Sequence, residues 1–269
     1  MPWLEATATV ITAADLAVNA GRKLDYLQRH WKRLSNRIQS GSLQVAVFGS
    51  GGVGKTTLSK IIAGEIDPAT PLGPYFSSQD IEAVKLTKDV PGMIHTVPGQ
   101  KYHVSTKWHE IERGIINSVY DGIVFVSAFG FHSSKASIQF TDEVQASNIE
   151  MELEHFFRIT DCIKKAKKTP WLLTVFNKED LWFDRTEEVK ELHEKRFRPV
   201  ALQLRDAVGA NHLMYDFTNC ALGIQNLRSR DNNTLSETVA GYDSMRQQYT
   251  VSQLLELIDG LANRIGDLR

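Results

Sequence analysis

Between residues 1 and 41, apolar side chains fall at Trp3, Ala6, Val10, Ala13, Ala17, Ala20, Leu24, Leu27, Trp31, Leu34 and Ile38, in steps of three and four. That spacing keeps them on one seam of a helix, as in a coiled coil, and Gly41 offers a stop. At ~1.5 Å per residue the helix would be roughly 55 Å long. The alanine-rich first half buries little; the half around Trp31 buries more. Two readings stay open: the helix packs on its own globule, or residues 3–38 dock a helical partner or a second copy as a homodimer.

The pattern then changes period. Short apolar or β-branched runs, Leu43–Phe48, Ile81–Leu86, Met93–Val97, Gly122–Phe129, Trp171–Phe176 and His212–Phe217, alternate with helical stretches over 56–63, 104–119, 146–168 and 186–208. This alternation predicts an α/β fold, a mainly parallel six-stranded sheet with helices on both faces. Ile81–Leu86 and Met93–Val97 read as a strand pair across the Thr87–Gly92 turn. Pro199 should kink or split the helix that contains it. Val251, Leu254, Ile258, Leu261 and Ile265 predict a final helix packed on the sheet, with Leu255 beside that seam. Residues 228 onward begin as a polar loop, and His132–Ser147 reads as an inserted loop or a solvated connection. The expected organisation is a helical extension over 1–41 and a globular domain over 42–269.

Composition narrows the classes. The 269 residues are 42% hydrophobic and 23% charged, with a formal net charge of -1. That suits a folded globule and offers no basic field for nucleic acid. Cys162 and Cys220 have no metal-ligand spacing and read as reduced thiols of a cytoplasmic protein. The first residues lack a signal-peptide pattern, and neither end carries a lipidation signal. The apolar run Gly122–Phe131 is far short of the ~20 residues that span a bilayer. No direct membrane insertion is expected.

The chemistry starts where the first strand ends. Gly49, Ser50, Gly51, Gly52, Val53, Gly54, Lys55 and Thr56 match G-x-x-x-x-G-K-[ST], with a strand before and a helix after, and Thr57 continues the turn. Glycines let successive backbone N–H groups converge on phosphate oxygens, and the helix start adds its positive dipole end. Lys55 would bridge the β- and γ-phosphates, and the Thr56 hydroxyl would ligate Mg²⁺.

Asn177-Lys178-Glu179-Asp180, closing the Trp171–Phe176 strand, resembles the guanine-reading motif of Ras-like small GTPases, a TRAFAC-type P-loop family. The resemblance implies that Asp180 accepts hydrogen bonds from guanine N1–H and N2–H. Adenine has no such donor pair, and a buried carboxylate left unpaired discriminates strongly. Asn177 would tie the site together, and the Lys178 stem would lie along the base. Cys220-Ala221-Leu222 looks like the family's Ser-Ala-Lys or Ser-Ala-Leu segment, which would bring the Ala221 N–H to guanine O6.

Thr96-Val97-Pro98-Gly99-Gln100 stands where the family usually has Asp-x-x-Gly-Gln. The resemblance gives Gly99 a γ-phosphate contact and Gln100 the orientation of the attacking water. Thr96 replaces an Mg²⁺-associated aspartate. This version of the motif is most similar to the bacterial gliding-motility GTPases that control polarity. The loop 66–80 reads as the first switch, with Ser78 favoured over Thr70 and Ser77 as a second Mg²⁺ hydroxyl. No arginine occurs between Arg37 and Arg113, so the first switch supplies no arginine finger, a device worth ~10³–10⁵ in rate. The implied protein is a regulatory GTPase that converts GTP slowly to GDP, with an effector and a GTPase-activating protein as partners. The alternative is a nucleotide-gated scaffold with negligible hydrolysis that docks through its N-terminal helix.

Overall fold

The computed structural model describes residues 43–63, Ile66, 82–85, 93–96, 104–132, 139–210, 212–229 and 233–266. The expected extension over 1–41, Thr70, Ser77, Ser78, Gly99 and Gln100 lie outside these.

The strands are β1 (Val45–Gly49), β2 (Glu82–Lys85), β3 (Met93–Thr96), β4 (Gly122–Ser127), β5 (Trp171–Phe176) and β6 (Tyr215–Asn219), in the order β2-β3-β1-β4-β5-β6. Four ladders, β1 with β3, β1 with β4, β4 with β5 and β5 with β6, are parallel; β2 pairs antiparallel with β3 at the edge. Parallel pairing therefore does not extend across all the strands, because β2 and β3 are hairpin neighbours in sequence and a short return can only be antiparallel.

Period-two alternation sorts the strands onto two faces. Val45, Val47, Val124, Val126, Leu173 and Val175 face α1 (Lys55–Ala63) and the last helix, α6 (Ser244–Gly266). Ala46, Phe48, Ile123, Phe125, Leu172 and Phe176 face α2 (Val104–Ile116), α3 (Asp142–Lys164) and the helical stretch from Thr186 to Val208. The second face is packed with aromatics: Phe125, Phe156, Phe176 and Phe197 meet at centroid distances of 5.0 to 6.1 Å. In α6, Val251, Leu254, Leu255, Ile258 and Leu261 are all buried, a broader face than the seam alone. None of the described helices is long and apolar enough to cross a membrane.

Three expectations meet the structure here, two of them as corrections. The polar run at 132–147 is not one solvated connection: His132 is buried, and α3 begins at Asp142, capped by the Thr141 hydroxyl accepting from Val144 N–H. The polarity at 141–143 comes from the cap and from Asp142 and Glu143 beside the positive helix end. The helix that contains Pro199 is split, as expected, without being ended. The chain passes from α4 (Thr186–Leu192) through a π-turn (His193–Phe197) into α5 (Arg198–Val208), and Arg198 N–H donates to the His193 carbonyl. The wider turn precedes the residue that has no N–H to give. The segment after residue 226 holds a short antiparallel pair, β7 (Leu227–Arg228) and β8 (Thr234–Ser236).

Candidate functional site

β1 ends at Gly49 and the chain turns through residues 50–54 into α1. The turn is possible only with glycine at its pivots. Gly49 has φ of 144°, and a Cβ there would lie 2.2 Å from the Val126 carbonyl oxygen. Gly54 has φ of 98°, and a Cβ would lie 2.3 Å from Asn177 Nδ2. The second clash shows how closely the turn approaches the end of β5.

Lys55 opens α1, and its buried ammonium donates to the Ser50 carbonyl across the turn. Burial lowers its pKa to about 7. The Lys55 carbonyl accepts from the Ser59 hydroxyl one turn later. Thr56 and Thr57 follow, half-buried, in the first turn of α1. Thr96 closes β3, its Cα opposite Val47 in the parallel register.

Asn177 leaves β5 as the organising side chain. Its Nδ2 donates to the Val53 carbonyl at 2.8 Å, and its Oδ1 accepts from Leu222 N–H at 3.1 Å, with Cys220 Sγ 3.7 Å away. One buried amide thus joins the glycine-rich turn to the loop after β6. The backbone then reverses at Lys178, in the left-handed region with φ of 63°, into a single 3-10 turn over Glu179–Leu181. The Glu179 N–H donates to the Cys220 carbonyl at 3.0 Å. Behind the turn, the buried Glu179 carboxylate accepts from Tyr242 Oη at 3.1 Å and from Arg246 at 3.1 Å, which ties down the start of α6.

Asp180 is 1% exposed. Its Oδ2 accepts from Gln225 N–H at 2.9 Å, whereas its Oδ1 is buried with no hydrogen-bond partner. Burial pushes its pKa up to about 6, against the opposing Gln225 N–H and Lys178 charge. Lys178 donates to the Phe131 carbonyl at 2.7 Å, and burial lowers it to about 8.

Gly49 through Thr57, Asn177, Lys178, Asp180, Cys220, Ala221 and Leu222 therefore lie around one end of the sheet, linked by the contacts of Asn177. Gly99, Gln100 and Ser78 lie outside the described residues. Among the described residues no group of three or more His, Cys, Asp and Glu side chains could hold a metal ion. Of the metal ligands expected from the sequence, Thr56 is among the described residues, and its hydroxyl is a hard oxygen of the kind Mg²⁺ takes alongside phosphate oxygens and water.

Sequence reasoning missed Glu152 and His155, which stand on α3 behind both loops. A signal existed: Ile149, Glu152, Phe156, Ile159 and Ile163 step by three and four, which puts a carboxylate on an apolar seam.

No protein-family model matches the chain, and no curated protein matches it. The solved structures similar to it include these three. The mammalian SRP receptor structure shares 14% identity at a TM-score of 0.48, covering 81% of this chain and 99% of that one. The ADP-ribosylation factor-like GTP-binding protein, small COPII coat GTPase SAR1, from Encephalitozoon cuniculi in complex with GDP shares 11% identity at a TM-score of 0.44, covering 93% and 95%. The GDP-bound signal recognition particle receptor SRb from Chaetomium thermophilum shares 12% identity at a TM-score of 0.36, covering 67% and 89%.

Proposed function

We propose that this chain binds GTP and GDP and hydrolyses GTP slowly, as a regulatory switch. The observation that carries the base assignment is Asp180: a buried carboxylate with one oxygen unpartnered, in the same turn as the residue that grips the glycine-rich loop. An unpaired buried acceptor of this kind is costly unless a ligand brings donors. Guanine offers an adjacent N1–H and N2–H; adenine does not. At the other end, Lys55 and the N–H groups of the turn and helix start suit phosphate.

Thr56 is the residue that would hold Mg²⁺, which would neutralise charge on the phosphates when bound. Gln100 would orient the attacking water and Gly99 would contact the γ-phosphate. With no arginine between Arg37 and Arg113, hydrolysis is slow until an activator supplies one in trans, and an effector reads the GTP form. In this reading residues 42–269 form the nucleotide domain of a cytoplasmic protein and residues 1–41 a helical docking or dimerising extension. Thr96, in place of a carboxylate, favours a second reading as a nucleotide-gated scaffold with negligible turnover.

Competition titration of GDP against ADP tests the base assignment. GDP should win by more than about a hundredfold, the discrimination a buried polar site supplies; equal affinities would overturn it. Single-turnover GTP cleavage separates the two readings. A rate far below 1 s⁻¹ that an arginine-supplying activator raises supports the switch. A rate near 1 s⁻¹ by the chain alone overturns slow turnover, and cleavage that no activator raises favours the scaffold.

A further inference from the structure

Glu152 is fully buried on α3, and four groups converge on its carboxylate. Oε2 accepts from the Ser127 hydroxyl at 2.6 Å; Oε1 takes Ala128 N–H at 2.9 Å and Gly130 N–H at 3.4 Å and pairs with His132 Nε2 at 2.6 Å. All four belong to the end of β4 and the turn after it. Phe129 and Gly130 sit at φ of 50° and 78°, which turns the Ala128 and Gly130 N–H groups toward the carboxylate, while the Phe129 N–H donates to Ser127 Oγ at 3.3 Å. α3 holds the carbonyls of the same turn. Gln145 Nε2 donates to Phe129 O, and Asn148 Nδ2 to Gly130 O, each at 2.8 Å. The next carbonyl, that of Phe131, is the acceptor for Lys178. A rigid path therefore runs from Glu152 through the 128–132 turn to the lysine beside Asn177 and Asp180.

His155, one turn further along the same face, reaches the other end of the site. Its Nδ1 is hydrogen-bonded to the Ser50 hydroxyl at 3.0 Å, and the Ser50 carbonyl accepts from Lys55. The imidazole rests 5.1 Å from the buried Trp108 ring, over which Arg158 also lies at 4.9 Å. Burial, then the charges of Lys55, His132 and Arg158, lower its pKa to about 4 against the pull of Glu152, so it meets Ser50 as a neutral ring.

A carboxylate taken wholly out of water costs several kcal/mol even when paired, and well-packed apolar residues often serve stability as well or better. The contacts of Glu152 instead fix the direction of one backbone turn, and through it the position of Lys178. We propose that Glu152 and His155 are positioning residues for the nucleotide, Glu152 setting the base platform through the 128–132 turn and Lys178, and His155 setting the phosphate loop through Ser50. This rests on the nucleotide reading above, and it assigns the two ends of the ligand to two residues of one helical turn that touch neither end.

The test reads the two ends separately in the full-length protein. Competition titrations give the preference for GDP over ADP, which reports the base, and for GDP over GMP, which reports the β-phosphate. Glu152→Gln should narrow the first by about tenfold and leave the second, the weight of one charge-assisted hydrogen bond. Ser127→Ala removes one bond to the carboxylate, together with the Phe129 N–H contact to the same hydroxyl, while keeping the carboxylate. It should move the base preference in the same direction by less, and it carries the test if the buried Glu152→Gln variant does not fold. His155→Ala should narrow the second preference by about tenfold and leave the first. His155→Asn, which restores a polar atom near the Nδ1 position, should recover most of it. Folded variants in which both preferences fall together, or neither falls, overturn the proposal. A wild-type chain that binds no guanine nucleotide overturns the nucleotide reading itself, a result visible before any variant is made.

Discussion

Replacing Asp180 with asparagine separates the electrostatics of this buried carboxylate from its proposed recognition of a base. Burial raises the Asp180 carboxyl to about 6 from 3.8. A displacement of that size corresponds to about 3 kcal/mol between the two protonation states. The sign follows from which state holds the proton. Below about pH 4 both folded and unfolded chains are protonated at this group and it contributes nothing. As the pH rises toward about 6, the unfolded chain ionises first, the folded chain binds more protons, and stability falls; above that the penalty is constant. Asparagine has no charge to desolvate. The stability of Asp180→Asn relative to wild type should therefore rise by about 3 kcal/mol between about pH 4 and pH 8. The new amide, left with buried donors, lowers the variant by about 1–3 kcal/mol, but that cost does not titrate. Urea unfolding of both nucleotide-free proteins across this range measures the difference. A gap independent of pH refutes the burial argument. In the ligand-bound protein the same change removes the acceptor pair for guanine and offers a donor. GDP affinity should fall by more than about a hundredfold, whereas xanthosine diphosphate, with an oxo group at C2, should gain. GDP affinity within a few-fold of wild type would refute the base assignment.

Nucleotide binding near pH 8 should take up about one proton, because phosphate restores the ammonium of Lys55, which burial lowers to about 7; calorimetry in two buffers of different ionisation enthalpy reads this directly, and identical heats would count against it. Asn177→Ala leaves the Val53 carbonyl and the Leu222 N–H without their shared partner. It should lower the unfolding free energy of the nucleotide-free chain by about 2–3 kcal/mol and speed GDP release, as seen by denaturant titration and stopped-flow fluorescence. Gly122→Ala places a Cβ 1.9 Å from the Trp171 ring. The expected loss is about 3 kcal/mol, with GDP affinity of the folded fraction unchanged; a neutral thermal melt would show that the core yields there.

Much of this was legible in residue order because period and punctuation are local. The unbroken apolar runs Val45–Phe48 and Ile123–Val126 announce a sheet buried on both faces, and Gly49–Thr56 announces its turn, since only glycine fits where the Val126 carbonyl and the Asn177 amide approach. What escaped is non-local. His132 reads as loop polarity until Glu152, twenty residues later in the chain, is seen beside it. The first turn of α3 looks polar because it is capped and solvent-facing, not because it is unstructured. β7 and β8 are too short to show a period, so the polar segment around residue 230 gave no strand signal. Pro199, by contrast, was legible as a kink or split because proline removes a donor, and the π-turn before it, with its i→i−5 bonding, is that split.

The perturbed groups also constrain what can occupy the site and how it can be emptied. Lys55 and Asp180 are held away from their ordinary ionisation by burial at opposite ends of one contact network, joined through Asn177. A ligand that restores both must be anionic at one end and a hydrogen-bond donor at the other, which the proposed guanine nucleotide is and inorganic phosphate or a free base is not. Each restored charge then contributes to affinity, because the empty state bears the desolvation cost that the bound state relieves. The same coupling opposes release: dissociation must return a lysine and a carboxylate to burial together. A factor that empties this site therefore has either to supply substitute charges to Lys55 and Asp180 or to open the Asn177 bridge between Val53 and Leu222, and the second route acts on both ends of the nucleotide at once.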